Sequence, residues 1–139
     1  MLWRFSALAM LYGLAAGALA GTVITVLGTL AIVLPASAEL AGSTDLGALV
    51  TNNPELVGVA LLGALAAAFT AGNAAASLAP GDELPNALAT GCVLLVTQVL
   101  IPLQLHLGVY PAWYTLPVIV LTVPLCALGG LHRRGPATA

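Results

Sequence analysis

Four long stretches of the chain contain no Asp, Glu, Lys or Arg, and this pattern constrains the fold more than any other feature. The stretches cover residues 5–34, 56–79, 86–107 and 112–131. A helix needs about 20 apolar residues to cross the roughly 30 Å hydrocarbon layer of a bilayer. Backbone polar groups in lipid must be paired within their own segment, which makes helices of such runs. The sequence therefore predicts an all-α fold, an integral membrane bundle of four transmembrane helices with antiparallel neighbours.

The composition argues against a separate water-soluble domain. The 139 residues are 60% hydrophobic and 6% charged, whereas soluble domains are roughly one quarter charged. The apolar excess extends over the whole chain, so we expect residues 1–139 to form a single membrane domain. Three basic residues and a net charge of −2 offer no basic surface for phosphates, and no nucleic-acid partner is expected. Cys92 and Cys126 lie within apolar runs, and no disulfide, metal or cofactor is predicted.

The arginines set the predicted orientation. Arg4 precedes the first run, and Arg133 and Arg134 follow the fourth. Basic residues beside the ends of membrane helices are retained in the cytoplasm. An even number of spans places both termini on the same side, and all three arginines agree with this. We therefore expect cytoplasmic termini, an outer loop at residues 35–55 and a cytoplasmic tail at residues 132–139.

The segment from Pro35 to Glu39, PASAE, offers two interpretations. Ala36, Ser37 and Ala38 match the small-x-small pattern that signal peptidase cuts, and cleavage there would leave a protein with three spans. The apolar region of a secretory signal has about 7 to 15 residues, and the uncharged run before this site is about twice as long. We therefore predict an uncleaved first span that ends at Pro35.

Small residues recur at four-residue intervals in the first two runs. Gly13, Gly17 and Gly21 form a G-x-x-x-G-x-x-x-G stripe. Glycine at such positions lets a second backbone approach closely, so that dispersion contacts accumulate. The second run offers a matching row, which comprises Ala60, Ala64, Ala68, Gly72 and Ala76. We predict that these rows pack helices together, within the bundle or against a partner; the alternative is that a composition rich in alanine and glycine produces them by chance.

Uncharged polar residues are the candidates for a site inside the membrane. Asn73 lies in the second run, and Gln98 and His106 lie in the third. In one interpretation the amides form hydrogen bonds between helices and stabilise the bundle by about 1 kcal/mol each. In the other, Asn73, Gln98 and His106 line a path or site for a small polar solute, as in transporters with broken helices. The sequence favours the first interpretation.

Catalytic motifs are not visible in the sequence. The chain has no H-E-x-x-H, no G-x-S-x-G and no phosphate-binding glycine loop followed by lysine. None of the four runs contains a pair of carboxylates. An enzyme is therefore not expected.

Several short motifs resemble those of small bacterial inner-membrane proteins with four spans. They are the glycine-rich first helix, TAGNAAAS at residues 70–77, YPAWY at residues 110–114 and LGGLHRR at residues 128–134. The resemblance implies the bacterial inner membrane as the location and brings no activity with it. We expect a structural or accessory component that acts through helix packing, with the lipid bilayer, a second copy or a larger membrane complex as partners. The alternative is a small-solute channel or transporter, which would be oligomeric because four short helices enclose little space.

Overall fold

Four helices make up the fold of the described part of the chain. A computed structural model describes residues 5–40, 53–104 and 110–133, with side chains for 5–34, 53–98 and 110–133. The helices are α1 (Ala7–Leu40), α2 (Pro54–Ser77), α3 (Glu83–Gln104) and α4 (Ala112–Arg133). No strand occurs among these residues. The predicted all-α helical bundle is confirmed.

Three of these helices are long and apolar enough to cross a membrane. They are the Ala7–Leu34 part of α1, with 28 residues, α2, with 24, and α4, with 22. At about 1.5 Å per residue, even the shortest reaches roughly 33 Å, which covers a hydrocarbon layer of about 30 Å. The chain is therefore a helical membrane protein with at least these candidate spans.

The prediction that Pro35 ends the first helix is wrong. Helix α1 continues through Pro35 as far as Leu40 and has 34 residues. Proline already has the φ angle of a helix, and within a helix it removes one hydrogen bond to the carbonyl four residues earlier. Here that carbonyl belongs to Ala31, near the outer end of the helix. The loss of one bond near a helix end does not stop a helix that the preceding apolar run already forms.

The start of α2 follows the local signals in the sequence. Asn53 precedes the helix, and its side-chain oxygen accepts hydrogen bonds from the backbone N–H groups of Glu55, at 3.0 Å, and Leu56, at 3.4 Å. Pro54 occupies the first helical position, where its missing N–H would have no partner in any case. These bonds satisfy the donors that a helix start leaves unpaired.

The turn between α2 and α3 depends on a glycine. Gly81 has a φ of 89°, a left-handed conformation that residues with a Cβ rarely adopt. Its N–H donates to the Glu83 carboxylate at 2.9 Å, in the first turn of α3. This tight reversal makes α2 and α3 antiparallel neighbours.

Contacts between helices show that the chain runs alternately up and down. Gly13 lies against Ala71 and Gly28 lies against Val59, so α1 and α2 are antiparallel. The Cys126 thiol of α4 reaches Ala68 of α2, and further along both helices Gly129 faces Asn73, so α2 and α4 are parallel. Neighbours in sequence are therefore antiparallel, as predicted. The start of α1 and the end of α4 lie at the same end of the bundle, here called the inner end.

Helices α2 and α3 form the centre of the bundle. Helix α2 packs against α1 on one face and against α4 on another, and α3 contacts all three other helices. Within the described part of the chain, α1 and α4 do not contact each other. This arrangement leaves α1 and α4 on opposite sides of the central pair.

Large apolar side chains face outward and small ones face inward. On α1, Leu8 is 71% exposed and Leu19 is 68% exposed; on α4, Val120 is 63% exposed. The buried residues of α2 are mainly alanine and glycine. Lipid tails are as apolar as leucine, so helix association in a membrane depends on close packing of small residues and on hydrogen bonds. The distribution of side-chain size fits that environment.

Candidate functional site

The glycine stripe of α1 lies directly against the backbone of α2. A methyl group placed on Gly13 would lie 2.6 Å from the Ala71 carbonyl oxygen, and one placed on Gly17 would lie 2.7 Å from the Ala67 carbonyl oxygen. At Gly21 it would lie 3.1 Å from the Gly63 carbonyl oxygen. All three positions therefore require the absence of a side chain, and the stripe is used within the bundle.

The row on α2 that meets this stripe differs from the matching row in the sequence. The contacting residues are Gly63, Ala67, Ala71 and Ala75, which precede Ala64, Ala68, Gly72 and Ala76 by one position. On a helix, one position is a rotation of about 100°. Ala68, Gly72 and Ala76 of the predicted row turn toward α4 instead, while Ala60 and Ala64 line the groove described below.

Helix α4 meets this second row through Cys126. The thiol of Cys126 donates to the Ala68 carbonyl oxygen at 2.9 Å, and Cys126 is fully buried. A methyl group on Gly72 would overlap the Cys126 carbonyl oxygen and lie 2.6 Å from its carbonyl carbon. The α2–α4 contact is therefore a backbone-to-backbone contact that only glycine permits at position 72.

Two glycines of α4 also make close contacts that the sequence analysis did not single out for packing. A methyl group on Gly129 would overlap the Phe69 carbonyl oxygen and lie 2.8 Å from the backbone nitrogen of Asn73. One on Gly130 would lie 2.6 Å from the Ala87 side chain. These residues form the Gly-Gly of LGGLHRR. The sequence does contain an indication of this contact, because Gly129 follows Cys126 by three residues and therefore lies near it on the same helix face.

The two predicted amides bond across helices, but at different depths. The Asn73 side-chain oxygen accepts a hydrogen bond from Arg133 Nε at 3.0 Å, and the Gln98 side-chain amide pairs with the Thr122 hydroxyl at 3.2 Å. Asn73 is 77 − 73 = 4 residues from the inner end of α2, and Gln98 is 98 − 83 = 15 residues from the inner end of α3. At about 1.5 Å per residue the two depths differ by roughly 16 Å.

The structure therefore does not bring Asn73 and Gln98 into one site. His106, the third residue of the predicted polar site, lies outside the described residues. Both amides have the cross-helix partners that the first interpretation of the sequence assigned to them.

A buried asparagine that the sequence analysis did not single out ties α1 to α3. Asn86 is fully buried, and its side-chain oxygen accepts a hydrogen bond from the Ser6 N–H at 2.8 Å. Its side-chain nitrogen donates to the Asp82 carbonyl at 2.9 Å. The bond satisfies an N–H at the start of α1 that has no partner within the helix. Asn86 thus fixes the inner ends of α1 and α3 side by side.

An open groove of about 450 Å³ lies in the outer half of the bundle. Its floor is α2, one wall is α1, and the other wall is formed by α3 and the start of α4. The described lining residues are Ala18, Gly21, Thr22, Thr25, Val26, Ala60, Gly63, Ala64, Ala67, Leu94, Gln98, Tyr110 and Tyr114. None of them is charged. Ligand pockets commonly enclose about 300 to 1,000 Å³, so the groove is large enough to hold a small molecule.

Comparison with known proteins adds no relative. No protein-family model, curated protein or solved structure matches the chain. Among the residues that the structure describes, no three His, Cys, Asp or Glu side chains lie close enough together to hold a metal ion. A function for the chain therefore has to be argued from its helix contacts and from the outer groove.

Proposed function

We propose that the chain is a multi-pass inner-membrane protein of bacteria with four spans, cytoplasmic termini and a structural or accessory role that depends on helix packing. The fourth span in this proposal is α3. Its 22 residues reach roughly 33 Å, and it runs antiparallel to α4, with Gly91 close to Cys126 and Gln98 bonded to Thr122. These two contacts lie 98 − 91 = 7 residues apart on α3, and their place beside a helix long enough to cross the membrane supports a fourth span.

The orientation in this proposal rests on the charges at the inner end. Arg133 lies in the last turn of α4 at that end. Arg4 and Arg134 flank the same end in sequence. Basic residues near span ends favour the cytoplasm, so the inner end is the cytoplasmic one.

Cysteine accessibility in intact cells tests this topology. We expect Glu55→Cys, at the outer start of α2, to react with a membrane-impermeant maleimide in intact cells. Pro80→Cys, in the turn between α2 and α3, should react only after the membrane is permeabilised. Both positions are exposed in the structure, so the comparison measures sidedness rather than burial. The unsubstituted protein gives the background from Cys92 and Cys126, and the opposite labelling pattern would reverse the proposed orientation.

The contact of the glycine stripe with α2 carries the proposed role. The small residues serve to bring backbones together. The outward faces of α1 and α4 consist largely of exposed aliphatic side chains, which contact lipid or another membrane helix. These contacts support a structural role in the membrane that depends on the packing of helices.

Native mass spectrometry from mild detergent tests the accessory role. A component that acts through packing must contact another protein, so we expect particles heavier than the 13.8 kDa monomer by an integral number of protein chains. A particle that contains one chain and no other protein would contradict the role. Solute flux in liposomes that disappears in a folded Gln98→Leu variant would instead favour the channel or transporter.

A further inference from the structure

In the described part of the chain, the outer groove lies outward of contacts that join α1 and α3 near their inner ends. There, the Ser6 N–H bonds to Asn86, and Gly13 lies beside Thr90. Further outward, Thr22 and Gln98 stand on opposite walls of the groove, and the floor between these walls carries only alanine and glycine. Larger residues on the floor would fill this space, so the sequence of α2 keeps it open.

Hydrogen-bond donors line the groove, and some of them have no acceptor among the described residues. Thr90, Thr97, Thr115 and Thr122 each donate their one hydroxyl proton to a backbone carbonyl three or four residues earlier, Thr122 to Val118 at 2.6 Å. By contrast, the hydroxyls of Thr22 and Thr25 make no hydrogen bond within residues 5–34, 53–98 and 110–133. The amide nitrogen of Gln98 carries two N–H groups, and even when one of them donates to the Thr122 hydroxyl, the other has no acceptor among the described residues. Donors without water or a partner are costly in lipid.

The depth of these donors restricts what can satisfy them. Gln98 bonds to Thr122, which is 122 − 112 = 10 residues from the outer start of α4. Ten residues correspond to about 15 Å, which is half of a hydrocarbon layer of roughly 30 Å. A phospholipid cannot bring an acceptor this deep without burying its charged headgroup, and none of the groove's described residues could pair with that charge.

We propose that the groove binds one neutral lipid that carries a carbonyl group. The carbonyl accepts hydrogen bonds from the Gln98 amide and from Thr25 on the opposite wall. The apolar part of the lipid lies along the floor formed by Ala60, Gly63, Ala64 and Ala67. At the mouth, Tyr110 and Tyr114 stack with ring centroids 4.3 Å apart, which places two amphipathic rings where the lipid enters.

Binding of two matched probes to the full chain in detergent tests this site. Decylubiquinone carries two ring carbonyls and a ten-carbon chain, and decylbenzene has the same chain on a ring without carbonyls. Native mass spectrometry counts the bound molecules during a titration with each probe. We expect one saturable site for decylubiquinone and at least about tenfold weaker binding of decylbenzene, since each lost hydrogen bond weakens binding by about threefold to tenfold.

Isosteric variants with matched controls locate the site. Gln98→Leu should weaken decylubiquinone binding about tenfold. Thr122→Val removes the same Gln98–Thr122 bond but leaves the Gln98 amide in the groove. The affinity of this control for decylubiquinone should stay within about twofold of that of the original protein. Thr25→Val should weaken binding severalfold. Thr29→Val, on the same helix but outside the groove lining, should have no effect.

Several results would overturn the proposal. Equal binding of the two probes would mean that carbonyls are not recognised. If Gln98→Leu and Thr122→Val weaken decylubiquinone binding equally, binding depends on the bond between α3 and α4 and not on a free Gln98 amide in the groove. A single phospholipid that stays bound and is not displaced by decylubiquinone would show a charged lipid in place of a neutral one. If Gln98→Leu does not fold, the pair Thr25→Val and Thr29→Val still decides the question.

Discussion

The substitution Gly72→Ala is expected to lower the free energy of unfolding by about 2 to 3 kcal/mol, although it adds a single methyl group. That methyl group would overlap the carbonyl oxygen of Cys126 and lie 2.6 Å from both its carbonyl carbon and its Cα. Backbone atoms cannot rotate away as a flexible side chain can, so α2 and α4 must separate. Separation also weakens the bond from the Cys126 thiol to Ala68.

The matched control is Gly58→Ala on the same helix. Among the described residues, no atom outside the neighbouring turns of α2 lies within 4 Å of a methyl group placed on Gly58. Alanine is a better helix former than glycine by about 1 kcal/mol, so this variant should be as stable as the original protein or slightly more stable. Thermal unfolding in one detergent compares the two variants. Equal stability of both would mean that α2 and α4 are not in the close contact that the structure shows.

The helices and their directions could be predicted from the chain because lipid leaves few alternatives. A run without charges and longer than about 20 residues has one stable backbone state in a bilayer. The Asn53-Pro54 pair, an N-cap residue followed by proline, marks the start of α2 through ordinary capping chemistry. The prediction that Pro35 ends α1 was wrong because proline stops a helix only under one condition. The lost hydrogen bond and the steric clash must cost more free energy than the rest of the helix gains by continuing.

The pairing of helix faces could not be predicted because α2 carries two small-residue rows side by side. Gly63, Ala67 and Ala71 form one row, and Ala64, Ala68 and Gly72 form the next. Either row could accept the stripe on α1, and sequence spacing alone does not distinguish them. The choice depends on α4, which occupies the second row through Cys126, in contact with Ala68 and Gly72.

The outer groove could not be predicted from the sequence either. Gln98 could be identified as an unusual amide in an apolar run, but Thr22 and Thr25, on the opposite wall, lie more than seventy residues earlier. The space between the walls lies outward of the bond from Ser6 to Asn86 and above a floor of alanine and glycine on α2. It depends on three helices together and not on any local motif.

The second large effect is expected for Gly17→Leu, which should lower the free energy of unfolding by about 3 kcal/mol and raise the mobility of α1. A methyl group alone would lie 2.7 Å from the Ala67 carbonyl oxygen and 2.8 Å from the Ala71 side chain, so a leucine must push α1 away from α2. Thermal unfolding in detergent, the native mass and retention of protein partners measure the result. If all three are unchanged, the glycine stripe has no packing role.

Ala15→Leu provides the control, because Ala15 is exposed on the same helix and leucine there faces lipid. We expect its stability and native mass to match the original protein. The two variants also separate packing from ligand binding. Gly17 lies immediately before Ala18 and one turn before Gly21, both in the wall of the groove, so moving α1 displaces Thr22 and Thr25 as well. Gly17→Leu should therefore weaken decylubiquinone binding and destabilise the bundle together, whereas Thr25→Val should weaken binding alone.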